Sequence, residues 1–414
     1  MNRFELLVNI LPGQTIRFKL TYQEMLERQL GVYKHIVNFE PQIEVDDIQV
    51  EVLIAERKHI RALHIPQWGF GDDSNDVLLK RKELSGQDVS KSIQNFVNGG
   101  SFACVSLLPT DPDFSQPRTA GQLIVLYDVD RRDIGGEILV VNGYFVHFVA
   151  PPVPEGTKHV VLLLDYSASM DGRKLQQLKR GTEAIINELH PRDQFNLVWF
   201  NDGVRAWRQR SALASTENKR LAVDFVRGAA PGRGTDIATA LNESFRILEN
   251  GLTPSPLLTM VIVLTDGLPT SGERDPTVIA EQITGWNIND VSVVGISIGE
   301  DAAYTLLMNI SSQNGGVARK VYEDSDVALQ LESFYKTIAT PLLKDIAITY
   351  VSRESNHEIE EHPSQCWGVD CILFKGREVV RVGRAAQSTT FRADIRARGR
   401  DGDFQVQVFH FCSR

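Results

Sequence analysis

Asp165-Tyr166-Ser167-Ala168-Ser169 stands where an unbroken apolar run, His159 to Leu164, gives way to a helix. Asp266, in Leu264-Thr265-Asp266-Gly267, follows a second apolar run in the same manner. Thr235, in Gly232-Arg233-Gly234-Thr235-Asp236, lies in a loop before a further helix. Three hydroxyls and two carboxylates form an all-oxygen set, which suits a hard divalent cation such as Mg²⁺ in an octahedron with bonds of roughly 2.0–2.1 Å, with Mn²⁺ and Ca²⁺ as the alternatives. Ser167 and Ser169 are neutral donors placed to bind directly, with Thr235 binding directly or through water. If Asp165 and Asp266 act through water, the ion keeps its positive charge and one open position. A carboxylate from an acidic partner completes the octahedron. Helix capping by Asp165 and Ser167 near Met170 is the bland alternative, and it explains one loop but not the other two.

The elements that carry these loops are legible from periodicity. After a Pro-rich joint (Pro151, Pro152, Pro154), strands are expected at His159 to Leu164, Phe195 to Phe200, Leu258 to Leu264 and Val291 to Ile298. Helices intervene: one carries Leu175, Leu178, Ile185, Ile186 and Leu189, two cover about 216–228 and 236–249, one starts at Asp275-Pro276, and two more follow. Alternating strands and helices predict an α/β, doubly wound (Rossmann-like) domain over 157–342, with ligand chemistry at the carboxyl ends of its strands.

The flanks read differently. Ile16, Phe18 and Leu20, and then Ile48, Val50, Val52 and Ile54, alternate with polar residues as half-buried strands do. Thr21 and Glu24 have capping-box spacing, and a helix is expected from there to Leu30, ended by Gly31. Glu137 to Val141 and Tyr144 to Val149 flank Asn142-Gly143, a hairpin signal. After Pro341, apolar segments at Ile346 to Val351, Val369 to Phe374 and Phe404 to Phe411 restore the β pattern. The expectation is an α/β domain clamped by antiparallel β-sandwich segments: 1–67, 68–156 and 343–414.

Composition narrows the classes. The chain has 414 residues, 42% hydrophobic and 23% charged, which is enough for two or three packed domains. A net charge of −9 without a run of Lys and Arg excludes nucleic acid and anionic membrane as expected partners. No apolar window of membrane-spanning length occurs. Met1 is followed by Asn2, Arg3, Phe4 and Glu5, so no export signal is visible, and the strand-like text from Phe4 suggests a start inside a domain. Cys366 and Cys371 could close a small loop and Cys104 could meet Cys412, with free thiols equally open.

The five residues Asp165, Ser167, Ser169, Thr235 and Asp266 match the metal-ion-dependent adhesion site (MIDAS) of von Willebrand factor A domains, also seen in integrin inserted domains. Further segments narrow the resemblance: Tyr127-Asp128-Val129-Asp130-Arg131, Asn142-Gly143-Tyr144-Phe145-Val146-His147, Pro191-Arg192-Asp193-Gln194-Phe195-Asn196-Leu197 and Tyr322-Glu323-Asp324-Ser325-Asp326 look like the inter-alpha-trypsin inhibitor heavy chains. The similarity runs to about residue 350 and weakens afterwards. It implies a VIT domain, of which residues 1–67 resemble the second part. It also implies a secreted glycoprotein of the extracellular matrix that is not an enzyme. Hyaluronan and the protease-inhibiting light chain are the partners it implies. The downstream segment whose terminal Asp is esterified to glycosaminoglycan is not among these residues, so covalent hyaluronan transfer is not carried over. An intracellular scaffold with the same domain pairing is the rival reading.

Weaker signals remain. Gly295-Ile296-Ser297-Ile298-Gly299 fits a nucleophile pattern for a serine hydrolase, with His357 or His362 as candidate bases, but lacks a glycine-rich oxyanion loop. Asp128, Asp130 and Asp133 read as a solvated turn more readily than as a calcium site. Gly267 to Gly272 has phosphate-loop spacing, but Glu273 stands where a lysine is needed. Asn242 and Asn309 open N-glycosylation acceptor triplets.

Overall fold

The structure is a computed structural model, and it describes residues 12–15, 17, 19–21, 26–39, 50–65, 93–98, 100–107, 121–130, 134–141, 143–249, 256–299, 304–322, 326–352, 359, 372–385 and 389–410. Among the described residues, strands come first: β1 (Arg28–Gln29), β2 (Val32–Phe39), β3 (Val50–Ala55), β4 (Ile60–His64), β5 (Ile93–Asn98), β6 (Phe102–Leu107) and β7 (Gly121–Val129). They build two antiparallel sheets, ordered β1-β2-β7-β4 and β3-β6-β5. Their facing side chains, among them Ile54, Ile60, Leu63, Val105 and Val125, share one apolar core. The alternation read at Val50, Val52 and Ile54 is present, with Glu51 and Leu53 exposed between them; Ile48 lies outside the described residues.

Two expectations in this region are corrected. Arg28–Gln29 is a strand paired with Tyr33 and Val32, so the helix expected up to Leu30 does not extend there; Gln23 and Glu24 lie outside the described residues. Leu30 and Gly31 both have positive φ, 49° and 86°, the geometry of a tight hairpin turn. A glycine after an apolar residue marks a positive-φ stop in helices and hairpins alike, and here the cross-strand partner decides. Leu20 is 63% exposed and outside any strand; Ile16 and Phe18 lie outside the described residues.

β8 (Glu137–Val141) and β9 (Tyr144–Val149) form the expected hairpin, with Gly143 at φ 84°. The α/β unit follows: β10 (Lys158–Asp165), α1 (Arg173–Glu188), β11 (Gln194–Phe200), β12 (Val204–Ala206), β13 (Ala212–Leu213), α2 (Thr216–Arg227), α3 (Ile237–Glu249), β14 (Leu258–Thr265), α4 (Pro276–Trp286), β15 (Ser292–Ile298), α5 (Tyr304–Gln313), β16 (Ala318–Val321) and α6 (Val327–Ile338). Strand order is β12-β11-β10-β14-β15-β16, with β13 paired to β11. The sheet is parallel from β11 to β16. Every residue of β10 is buried, because helices cover both faces. Val160, Leu162 and Leu164 pack with α1, α2 and α6; Val161 and Leu163 pack with α3, α4 and α5. Period-2 alternation thus feeds two cores, and the strand reads as an unbroken apolar run. β12, β13 and β16 are short and gave no periodic signal.

The chain closes with β17 (Pro341–Ser352), β18 (Leu373–Phe374), β19 (Val379–Arg384), β20 (Phe391–Gly399) and β21 (Gly402–His410). β18-β17-β20-β21 form one sheet and β19-β9-β8 another. Strands from before and after the α/β unit therefore share a sheet, with Val379 opposite Val149 and Arg384 opposite Tyr144. The two sheets pack face to face through Val140, Phe145, Tyr350, Phe391 and Ala393 and through Val149, Leu343, Val379 and Ile395. Cys366, Cys371 and Cys412 lie outside the described residues, and Cys104 Sγ stands 3.7 Å from Glu51 Oε1. Among the described residues no helix is long and apolar enough to cross a membrane.

His147 is fully buried in this sandwich, between Tyr350 Oη at 2.9 Å from Nδ1 and the Gly135 carbonyl at 2.8 Å from Nε2. A neutral ring satisfies both contacts, donating from Nε2 and accepting at Nδ1. Burial, with a minor contribution from the Arg381 charge, lowers its pKa from 6.5 to about 4. The unfolded chain therefore binds one more proton across that window, so stability is full above pH 6.5 and is lost as pH falls toward 4. At 1.36 kcal/mol per unit the loss amounts to roughly 3 kcal/mol. Urea midpoints at pH 7 and pH 4.5 should differ accordingly, and His147→Gln should shrink the difference. His159, also lowered to about 4 by burial, has the same sign and keeps the slope from vanishing. An unchanged slope in the variant would refute the assignment.

Candidate metal centre

The sheet order reverses at β10. From β10 the chain first adds β11 on one side and later returns to add β14 on the other. Between the carboxyl ends of β10 and β14 lies the crevice that this topology leaves open. Asp165 is the last residue of β10, and Asp266 follows β14 directly.

Asp165 is buried, and both its oxygens are engaged. Oδ1 accepts the Ser167 N–H at 2.8 Å, and Oδ2 accepts the Thr265 hydroxyl at 2.5 Å. Burial raises its carboxyl from 3.8 to about 6, against the lowering effect of the Thr265 and Ser167 hydrogen bonds, and the Asp266 charge adds a smaller push. From Ser167 the contacts continue through oxygen. Ser167 Oγ lies 2.9 Å from Ser169 Oγ, which donates to Asp266 Oδ1 at 2.7 Å. Lys174 Nζ closes the far side at 3.0 Å from Asp266 Oδ2.

Capping does not explain these hydroxyls. Ser167 precedes a three-residue 3-10 turn, Ala168–Met170, but its side chain caps nothing. The α-helix begins only at Arg173, behind Gly172. The Ser167 hydroxyl turns to another hydroxyl instead of a backbone N–H.

Thr235 joins through its backbone. Its carbonyl accepts the Thr270 N–H at 3.0 Å, and its own N–H donates to Ser271 Oγ at 3.1 Å. Gly232 N–H donates to the Tyr166 carbonyl at 2.7 Å, and Asp236 N–H to the Asn201 carbonyl at 2.8 Å. This loop is thus laced to those following β10, β11 and β14. Gly234 permits it, with φ 71° and Ser271 Oγ only 2.8 Å from where a Cβ would stand. Among the described hydrogen bonds, none joins the Thr235 hydroxyl to the other four residues.

The donor chemistry fits a hard cation. Adjacent ligands in an octahedron with bonds of roughly 2.0–2.1 Å stand about 2.9 Å apart. Ser167 and Ser169 already present their oxygens at 2.9 Å. Among the described residues no group of three or more His, Cys, Asp or Glu side chains could hold a metal, so the fit rests on hydroxyls with two carboxylates behind them. Thr265, Ser271 and Lys174 belong to this neighbourhood and gave no sequence signal, since each is ordinary at its own position and acquires its contact only through the fold.

The weaker candidates separate. Ser297 is fully buried in β15, and among the described residues its hydroxyl has no hydrogen-bond partner and thus no general base; His357 and His362 lie outside the described residues. Asp128, expected in a solvated turn, is instead buried in β7 and ion-paired to Arg28 at 3.0 Å and to Arg61. The turn reading failed because the carboxylate is neutralised by arginines far off in sequence; Asp133 lies outside the described residues. Asn309 is exposed on α5 and Asn242 is half-buried on α3, while the serines that complete the two triplets, Ser311 and Ser244, are both buried.

Residues 159–337 match the von Willebrand factor type A domain family model. Mouse inter alpha-trypsin inhibitor, heavy chain 4 is 34% identical over 398 residues, covering 92% of this chain and 39% of that protein. Human inter-alpha-trypsin inhibitor heavy chain H4 is 32% identical over 433 residues, covering 99% and 45%. The chain spans less than half the length of these relatives. Among solved structures, a von Willebrand factor type A protein from Catenulispora acidiphila aligns with a TM-score of 0.48 at 18% identity, covering 64% of this chain and 68% of that one. A mussel byssus protein, proximal thread matrix protein 1 with a zinc-occupied MIDAS motif, aligns with a TM-score of 0.35 at 18% identity over 46% and 48%.

Proposed function

The chain belongs to the inter-alpha-trypsin inhibitor heavy-chain family, and on that premise we propose that it is a secreted, matrix-associated binding protein whose A domain captures an acidic ligand through a divalent ion. The observation that carries this reading is the chain of hydrogen bonds that runs from Asp165 through the Ser167 backbone N–H, and on through the Ser167 and Ser169 hydroxyls to Asp266, at the open edge between β10 and β14. Ser167 and Ser169 would hold the ion directly. Asp165 and Asp266, each with both oxygens already hydrogen-bonded, would balance charge from behind and orient water. Thr235 would bind directly or through water. A bound Mg²⁺, Mn²⁺ or Ca²⁺ would supply a cationic position for a partner's carboxylate oxygen. Ser169 is exposed while Asp165 and Ser167 are buried, so the site opens to solvent on the hydroxyl side.

The family premise extends the proposal to hyaluronan and an inhibitor light chain as partners, and to a non-enzymatic role. Residues 1–67 would be part of a VIT-like domain to which 68–156 contributes β5 to β7, while the β8–β9 hairpin of 68–156 would pack in the second sandwich. Residues 157–342 would be the A domain, and 343–414 would complete the sandwich. β19 pairing with β9 across the α/β unit supports that arrangement. Asn309 would be the accessible glycosylation position.

Isothermal titration of EDTA-stripped protein with Mg²⁺ and Mn²⁺ tests the core of the reading. Saturable binding of one ion per chain is expected. An absence of saturable binding at millimolar metal would overturn it.

A further inference from the structure

We propose that Lys174 is a tethered counter-cation of the adhesion site: it neutralises Asp266, weakens the hold on the divalent ion, and leaves that ion short of negative charge. This inference rests on the metal reading above and concerns a residue outside the five-residue motif. Asp266 is the point of contact, because its side chain is only 1% exposed and its two oxygens face different partners. Oδ1 takes the Ser169 proton at 2.7 Å, and Oδ2 takes the Lys174 ammonium at 3.0 Å. An ion held by Ser169 Oγ would approach from the Oδ1 side of the carboxylate whose Oδ2 already holds the Lys174 ammonium, so the two would compete for its charge.

Electrostatics gives the direction. Without Lys174 the two carboxylates would match a divalent ion's charge. With Lys174 present, one unit of positive charge is left over, and an anionic partner is what removes it. A unit charge within about 4–6 Å moves the proton affinity of its neighbour by roughly one to three powers of ten, and a divalent ion feels the same field. The Lys174 side chain is 28% exposed, so screening by water places the effect at the low end. α1 fixes the lysine: Arg173 opens the helix behind Gly172, whose φ of 81° turns the chain out of the metal loop, and Lys174 is the next residue.

The test is the Mn²⁺ dissociation constant of the EDTA-stripped full chain, measured by calorimetry for wild type, Lys174→Met, Lys174→Gln and Lys174→Arg. Met and Gln variants should bind Mn²⁺ about ten-fold more tightly, and the Arg variant should stay near wild type. The direction is informative, because a lysine that merely braced the loop would give weaker binding when removed. Met and Gln variants that bind no more tightly than wild type would overturn the role of Lys174 while leaving the metal site intact. Absence of Mn²⁺ binding in wild type and variants alike would overturn the site reading and this inference with it. Should the Met variant not fold, the Gln variant tests the same charge change.

Discussion

Asp165→Asn should lose about 100-fold or more in Mg²⁺ and Mn²⁺ affinity while unfolding as cooperatively as wild type, the upper end of what substitutions behind metal ligands cost. The variant keeps the size of the side chain and an oxygen for the Ser167 N–H, so the loop retains its 2.8 Å anchor. It removes the one negative charge of the cluster that no lysine neutralises, since Asp266 shares its charge with Lys174. Burial already works against this carboxylate, as its rise to about 6 shows. The fold therefore gives up stability to keep it charged, and a neutral amide relieves that cost. Asp165→Ala goes further, leaving the Thr265 hydroxyl and the Ser167 N–H without their acceptor. Each lost partner costs about 1–3 kcal/mol, so this variant should lose metal binding and melt at a lower temperature yet still fold. Calorimetry with metal and thermal melts in EDTA separate the two effects. An Asn variant that binds metal like wild type would remove Asp165 from the site. Loss of cooperative unfolding in the Asn variant would make the cluster a structural network instead.

That Asp165, Ser167, Ser169 and Asp266 come together was legible because each sits at a junction that local pattern defines, the end of a buried strand and the turn after it, whereas Thr235 joins them only through its backbone. Once the parallel order is granted, those junctions must share an edge of the sheet. What surrounds them was not legible. Lys174 reaches Asp266 across 92 residues and Thr265 reaches Asp165 across 100. Neither type of residue is unusual where it stands, so no periodicity marks it. Helices α2 and α3 were read to within a residue because their apolar faces repeat at helical spacing. The flanking β regions were read less well. β19 was missed altogether, and its partner β9 lies on the far side of the whole α/β unit. Strand pairing over such distances leaves no trace within either strand. The same holds for β1, whose Leu30-Gly31 turn reads equally as a helix end until the partner strand at Val32 is known.

A second expected result concerns a charge pair at the opposite end of the sheet, and here the fold itself is at stake. Asp193→Ala should destabilise the protein by about 3–5 kcal/mol, the range for a buried pair broken on one side. Lys158 opens β10 and Asp193 precedes β11; Nζ and Oδ2 are 2.5 Å apart, and each side chain is only 2% exposed. Asp193 also accepts the Lys158 N–H at 3.1 Å and the His190 N–H at 2.8 Å, so it pins the α1–β11 turn to the foot of β10. Burial pulls the Lys158 pKa below its ordinary value, and the Asp193 charge opposes that pull. Remove the carboxylate and the opposition disappears, leaving an ammonium beside the Tyr335 ring, 5.7 Å from its centroid, with no counter-charge. The lysine then sheds its proton or draws in water, and either response loosens the packing of α6 against the sheet. Lys158→Met should cost less, because Asp193 keeps its two backbone donors. Lys158→Met combined with Asp193→Leu should recover part of the single-variant loss, since an apolar pair of similar volume avoids burying a lone charge. Urea midpoints at constant m-value measure all three. If Asp193→Ala costs less than about 1 kcal/mol, water reaches the pair and it behaves as a surface pair does. A double variant worse than either single one would mean that the backbone contacts of Asp193, and not its charge, hold the turn in place.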